Sequence, residues 1–139
     1  MNLVEQLLKA DAKKADEMEK GTFKSKRLAK IIGSEEETVD VEITEINSRR
    51  VNEIISYQVD RKGKFDISKS YDAKLIMCIE GCSNPDLTDK DLQKHFGCDN
   101  AKDLCEKLFG FEVNELSDAI ASLCGVSNGD DETEKEIKN

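Results

Sequence analysis

The most constraining feature of the sequence is the stretch from Tyr71 to Ile79, in which apolar residues recur at helical spacing. The apolar residues on this helix and at its end include Tyr71, Ala73, Leu75, Ile76, Met77, Cys78 and Cys82. A helix that is apolar on most sides is enclosed by other elements. The stretch therefore predicts the central helix of a small core, and Gly81 is expected to end it in the left-handed conformation.

The charge of the chain limits the partners that it can bind. Its 139 residues suffice for one domain with its own core, and 37% of them are charged, with a formal net charge of −9. A negative surface repels phosphate backbones and anionic lipids, so we expect neither nucleic acid nor membrane as a partner. No apolar run approaches the length of a membrane span or forms a signal peptide. The five cysteines suit a reducing cytoplasm.

The first 45 residues predict a helix and then two strands. Residues 1–20 are expected to form an amphipathic helix and a connector, and the helix carries an apolar stripe of Leu3, Val4, Leu7 and Leu8. The segment 38–45 alternates apolar and polar residues, as a half-buried strand does. Since one strand is not stable alone, the weaker strand at 22–28 is its expected antiparallel partner. Together they predict a β-hairpin over residues 22–45.

Helical spacing continues from residue 47 to residue 125 and predicts about five short helices joined by short turns. The expected caps are Asn47 or Ser48, then Thr88 paired with Asp91, then Asn100 paired with Asp103. The predicted fold class is α+β, mostly α, with the hairpin followed by a compact bundle of helices. Residues 21–125 are expected to form one domain, and residues 126–139 a disordered acidic tail.

No constellation of residues predicts catalysis, a cofactor or a metal site. Cys78, Cys82, His95 and Cys98 include zinc-type ligands, but their spacing is unlike that of paired zinc knuckles. His95 is the only histidine, so a thiol–imidazole pair would have to use it with Cys98 or Cys105. Neither a strained nucleophile elbow nor a phosphate-binding glycine loop accompanies these residues. We therefore expect a protein that is not an enzyme.

A helix-turn-helix over residues 89–109 is the alternative function, a DNA-binding regulator. Helix, glycine turn and helix have suitable lengths there. The second helix, however, would offer two lysines and two carboxylates to DNA, and their charges cancel: Lys102, Asp103, Glu106 and Lys107. Two packed helices of a bundle explain the same pattern without that conflict.

The order of features in the C-terminal half resembles the XkdN-like tail assembly chaperones of phages and prophages. The runs that carry the resemblance are Asn84–Leu87, Asp91–Gly97, Ala101–Phe109 and Leu116–Ile120. Upstream, Lys26–Leu28 at the end of the first predicted strand and Arg49–Ile54 at the start of a helix are similar to that family as well.

The resemblance implies a non-catalytic protein without cofactors that acts during tail assembly in the host bacterial cytoplasm. Such chaperones are expected to bind the tape-measure protein, keep it soluble and help recruit tail-tube subunits, and to be absent from the mature virion. The candidate contact residues are Leu3, Leu7 and Leu8 on the N-terminal stripe, and Phe109 and Phe111 at a corner. The alternative for both sets is packing against the protein's own core.

Overall fold

The structure, a computed structural model, describes residues 2–126. Within this range the helices are α1 (Leu3–Lys9), α2 (Lys26–Ile32), α3 (Ser48–Ser56), α4 (Ser70–Gly81), α5 (Lys90–His95), α6 (Ala101–Phe109) and α7 (Val113–Leu123). The strands are β1 (Lys20–Ser25), β2 (Val39–Thr44) and β3 (Cys82–Asn84). The predicted α+β class and the five helices after the sheet region are confirmed. From residue 127 onward the predicted acidic tail lies outside the described residues.

The three strands form one antiparallel sheet in the order β1-β2-β3. Phe23 lies opposite Val41, as the predicted pairing of the two N-terminal strands requires. The third strand was not predicted, since it falls where the sequence indicates a loop. Ile43 of β2 lies opposite Cys82, so β3 adds to the sheet directly after α4 ends.

The two N-terminal strands pair antiparallel as predicted, but the first of them ends at Ser25 and not at residue 28, because α2 begins at Lys26. The Ser25 hydroxyl accepts a hydrogen bond from the Leu28 amide at 3.0 Å and so begins the helix three residues before the predicted end of the strand. Gly33, with φ 69°, ends α2 in the left-handed region that favours glycine. The residues from Lys26 to Leu28 are therefore helical.

Helix α4 is the central helix, as predicted, and it packs against α3, α6 and α7. Leu75 and Cys78 are buried, with exposed fractions of 1% and 0%. Ile76 is only half-buried, and Tyr71 is exposed. The helix is thus not fully enclosed, and its most deeply buried side chains are Leu75 and Cys78.

Gly81 has a different role from the predicted left-handed cap. It is still helical, and its φ is not positive. A β-carbon at this position would lie 2.8 Å from Cδ1 of Ile120 and nearer still to its Cγ2. Glycine is required here because α7 crosses α4 at a distance that leaves no room for a side chain.

Side-chain caps begin the C-terminal helices, with one correction. Asn100 caps α6 as predicted, since its side chain accepts from the Asp103 amide at 2.9 Å. Helix α5 is capped by Asp89 and not by Thr88, because the Asp89 carboxylate accepts from the Leu92 amide at 3.0 Å. The Thr88 hydroxyl instead donates to Asp86 at 2.7 Å.

A cluster that we call the Glu112 clamp joins the sheet end of the molecule to the helices. The buried Ser25 hydroxyl donates to Glu112 at 2.6 Å, and the Lys26 amide donates to the same carboxylate at 3.0 Å. The Arg27 guanidinium donates to the Lys107 carbonyl at 2.9 Å. A carboxylate thereby meets the N-terminus of α2 and a cation meets the C-terminus of α6, which are the favourable charges for the two helix ends.

Replacing Leu75 tests the position of the core. We expect Leu75→Asp to abolish the cooperative thermal transition, because an unpaired buried carboxylate costs several kcal/mol, about the whole stability of a small domain. Ile76→Asp is the matched control, and it should lower the melting temperature less because Ile76 is half-buried. Circular dichroism would measure both. Equal effects of the two substitutions would contradict the assignment of the core.

Replacing Glu112 tests the clamp. Glu112→Ala removes the acceptor of the buried Ser25 hydroxyl, so we expect a loss of about 1–3 kcal/mol in the free energy of unfolding. Glu115→Ala, which removes an exposed carboxylate from the first turn of α7, is the control and should change little. Urea unfolding of both variants gives the comparison, and equal stability of the two would show that the clamp contributes nothing.

Candidate partner-binding surfaces

The N-terminal arm (residues 2–19) displays its apolar stripe to solvent. Exposed fractions on α1 run from 64% for Leu7 to 81% for Leu8, and no residue of this helix is buried. The arm joins the sheet where the Glu45 amide donates to the Glu19 carbonyl at 2.7 Å. A helix of seven residues is marginal alone in water, so α1 gains stability only where its stripe packs on another surface. The expected packing against the protein's own core is not seen for α1.

Phe109 and Phe111 do not form one exposed corner, so the expectation for Phe109 is wrong. Phe109 is completely buried on the inner face of α6, whereas Phe111 is 98% exposed. Gly110, with φ 53°, turns the chain between them, so that the two rings go to opposite environments. Of this pair, a partner can reach Phe111 alone.

The turn that carries Phe111 is held on both sides. Before it, a β-carbon on Gly110 would lie 3.0 Å from the Arg27 guanidinium, so the cation packs directly under the turn. After it, Glu112 is fixed by the clamp. An exposed aromatic ring on a fixed turn loses little conformational freedom on binding, which is typical of anchor residues in interfaces.

A third exposed apolar surface, not predicted from the sequence, lies in the link between α3 and α4, which we call the α3–α4 ribbon (residues 57–67). Val59 and Phe65 pair in an antiparallel bridge around the turn at Gly63. Phe65 is 60% exposed and Ile67 is 81% exposed. The available signal was a β-branched residue and an aromatic residue flanking a glycine turn.

Two of the buried thiols, Cys78 and Cys82, are held in the protonated form. Burial raises the pKa of the Cys82 thiol to about 12. A hydrogen bond with Cys105 and then burial raise the pKa of the Cys78 thiol further. These groups are protonated at neutral pH, whereas nucleophiles and metal ligands are thiolates. Among residues 2–126, no three His, Cys, Asp or Glu side chains are grouped so as to hold a metal ion.

The segment 89–109 does not present a DNA-reading helix. The Lys107 ammonium donates to the Phe96 carbonyl at 2.9 Å, and Lys102 lies 3.9 Å from Asp72. Both lysines of α6 are thus engaged within the protein, while the exposed side chains of Asp103 and Glu106 would face the phosphates. This charge pattern disfavours the helix-turn-helix function.

Of the helices in residues 2–126, none has both the length and the apolar character that crossing a membrane requires.

Comparison with known proteins agrees with this account. The sequence matches the family model described as phage XkdN-like tail assembly chaperone protein over residues 4–138. No curated protein matches it. The structure is similar to the crystal structure of the protein YqbN, a structural genomics target, with a TM-score of 0.54 and 13% sequence identity. The match covers 77% of this chain and 87% of YqbN, and at that identity it shows a shared fold alone.

The resemblance that the sequence predicted is thus confirmed over a longer range, since the runs that carry it lie between Lys26 and Ile120 and the match covers residues 4–138. The same match confirms the expectation of a non-catalytic protein. The chain belongs to the family of phage XkdN-like tail assembly chaperones.

Proposed function

We propose that this chaperone binds a segment of its phage's tape-measure protein during tail assembly and keeps that protein from aggregating. The observation that carries the proposal is the uncovered stripe of α1, whose leucines are 64–81% exposed. The protein would act in the host bacterial cytoplasm, help recruit tail-tube subunits and leave before the virion is complete.

The physical basis is the exposure of apolar stripes on a long chain before the tail tube closes around it. Exposed stripes aggregate, and an amphipathic helix can cover them by pairing its own apolar face with theirs. The stripe of α1 is free for this purpose because no part of it is buried in the core. The net charge of −9 keeps such complexes apart from one another.

Phe111 is the second contact that we propose. The ring projects from the turn between α6 and α7, and the Glu112 clamp holds that turn in place. The ring can therefore enter an apolar pocket without any further ordering of the chain around it. Phe109 is withdrawn from the contact residues because it is a core residue.

The binding has to be reversible, because the growing tube must displace the chaperone. Micromolar affinity, about −8 kcal/mol, is the expected range for such a contact. Since the contact is mainly apolar, the complex should persist in moderate salt. The affinity of a complex held by net charge would instead fall steeply as the salt concentration rises.

Co-expression tests the proposal. We expect the tape-measure protein to remain soluble with the wild-type chain, and to precipitate with Leu7→Ser/Leu8→Ser and with Phe111→Ser. Ile32→Ser is the matched control, since it removes an exposed apolar side chain of α2 and should leave solubility unchanged. The soluble fraction and the recovery of a complex in moderate salt are the measurements.

Circular dichroism would show that each variant still folds, which is expected because all four side chains are exposed. A tape-measure protein that is equally soluble with and without the chaperone, with no complex recovered, would overturn the proposal. A complex that dissociates completely in moderate salt would contradict the apolar contact.

A further inference from the structure

Besides Phe111, the described residues leave two groups of large apolar side chains exposed, on the N-terminal arm and on the α3–α4 ribbon. Leu8 on the arm and Ile67 on the ribbon are each 81% exposed. Soluble monomers seldom leave several large apolar side chains together in water unless another molecule covers them. Within residues 2–126, both surfaces are open to solvent, so each is available to a second molecule.

The ribbon is fixed before anything binds to it. The Asp60 amide donates to the Lys64 carbonyl at 2.8 Å, and the Asp66 amide donates to the Gln58 carbonyl at 2.6 Å. Residues directly opposite in an antiparallel bridge place their side chains on the same face. Val59 and Phe65 therefore share one face of the ribbon.

The helices on either side of the ribbon are joined at their far ends, where the Arg50 guanidinium of α3 donates to the Glu80 carboxylate of α4 at 2.6 Å. The ammonium of Lys69 lies 5.5 Å from the centre of the Tyr57 ring, across the two ends of the ribbon. A surface held in this way loses little entropy on binding.

Charge indicates what the ribbon binds. The ribbon, residues 57–67, contains three basic and two acidic side chains, a local excess of one positive charge within a chain of net charge −9. The arm has the opposite balance, because residues 2–19 contain five acidic and three basic side chains. The arm is thus an acidic amphipathic element, and the ribbon is a basic apolar one.

We propose that the arm of one copy covers the ribbon of a second copy. The stripe of α1 lies against Val59, Phe65 and Ile67, and the acidic residues of the arm lie beside the basic residues of the ribbon. Two copies related by a two-fold axis exchange their arms and close a dimer, which leaves neither surface open. This contact does not depend on the proposed function, although a tape-measure helix would compete for the same stripe.

The oligomeric state of the full chain in solution tests the exchange. By size-exclusion chromatography with light scattering, the wild-type protein should approach twice the 15.6 kDa of one chain, and its mass should fall on dilution. Leu7→Ser/Leu8→Ser and Phe65→Ser/Ile67→Ser should each give the mass of one chain at every concentration. Ile32→Ser is the matched control and should still form dimers, because the exposed Ile32 side chain belongs to neither surface.

Mixing the two monomeric variants is the decisive step. One retains an intact ribbon and the other an intact arm, so together they should recover a dimer with one of the two contacts. If the arm instead covers the ribbon of its own chain, mixing restores nothing, and that result overturns the proposal. A wild-type protein that is monomeric at all concentrations, or a dimer that neither double variant affects, also overturns it.

The ribbon's charge gives an independent measurement. Lys62→Glu/Lys64→Glu should weaken dimerisation about tenfold at low ionic strength and by less in high salt, since exposed charge pairs are screened. If this variant dimerises as well as the wild-type protein at low salt, charge attraction between the arm and the ribbon does not contribute to the contact. Unchanged circular dichroism melts would show that none of these substitutions acts by unfolding the protein.

Discussion

The rest of the structure depends on the close packing of α4 against α7. The Cys78 thiol donates to the Val113 carbonyl at 3.5 Å, and Gly81 supplies the gap into which Ile120 fits. Because α7 is the last helix of the described chain, the central helix is covered only when the C-terminal part has folded onto it. Helix α4 continues directly into β3, so the same contact also positions the third strand of the sheet. Core packing and sheet formation are therefore coupled through one helix pair.

Features that depend on near neighbours could be predicted from the sequence. The alternation of residues 39–44 indicated β2, and Asn100 with Asp103 indicated the start of α6. Features that depend on distant residues could not be predicted. The three residues of β3 carry no alternation of their own and form a strand because β2 lies beside them. The role of Gly81 depends on Ile120, and no local pattern distinguishes a glycine that ends a helix from one that makes room for another helix.

The candidate site shows the same limit. Helical spacing was enough to identify the stripe of α1, because it concerns one helix alone. Spacing could not separate Phe109 from Phe111, since their opposite burial depends on the turn at Gly110 and on the cation beneath it. The ribbon was missed because the charged residues around Gly63 look like an ordinary solvated loop. Its apolar face exists only through the bridge between Val59 and Phe65.

The separation of the arm from the core has a consequence for the history of this sequence. Side chains such as Leu75 or Phe109 are constrained by every neighbour that they touch, so drift at those sites is limited by folding itself. Leu3 and Leu8 are exposed, so the packing of the core does not constrain them. Under the contacts that we propose, the first twenty residues are free to change together with their partner, while the core residues keep the record of descent.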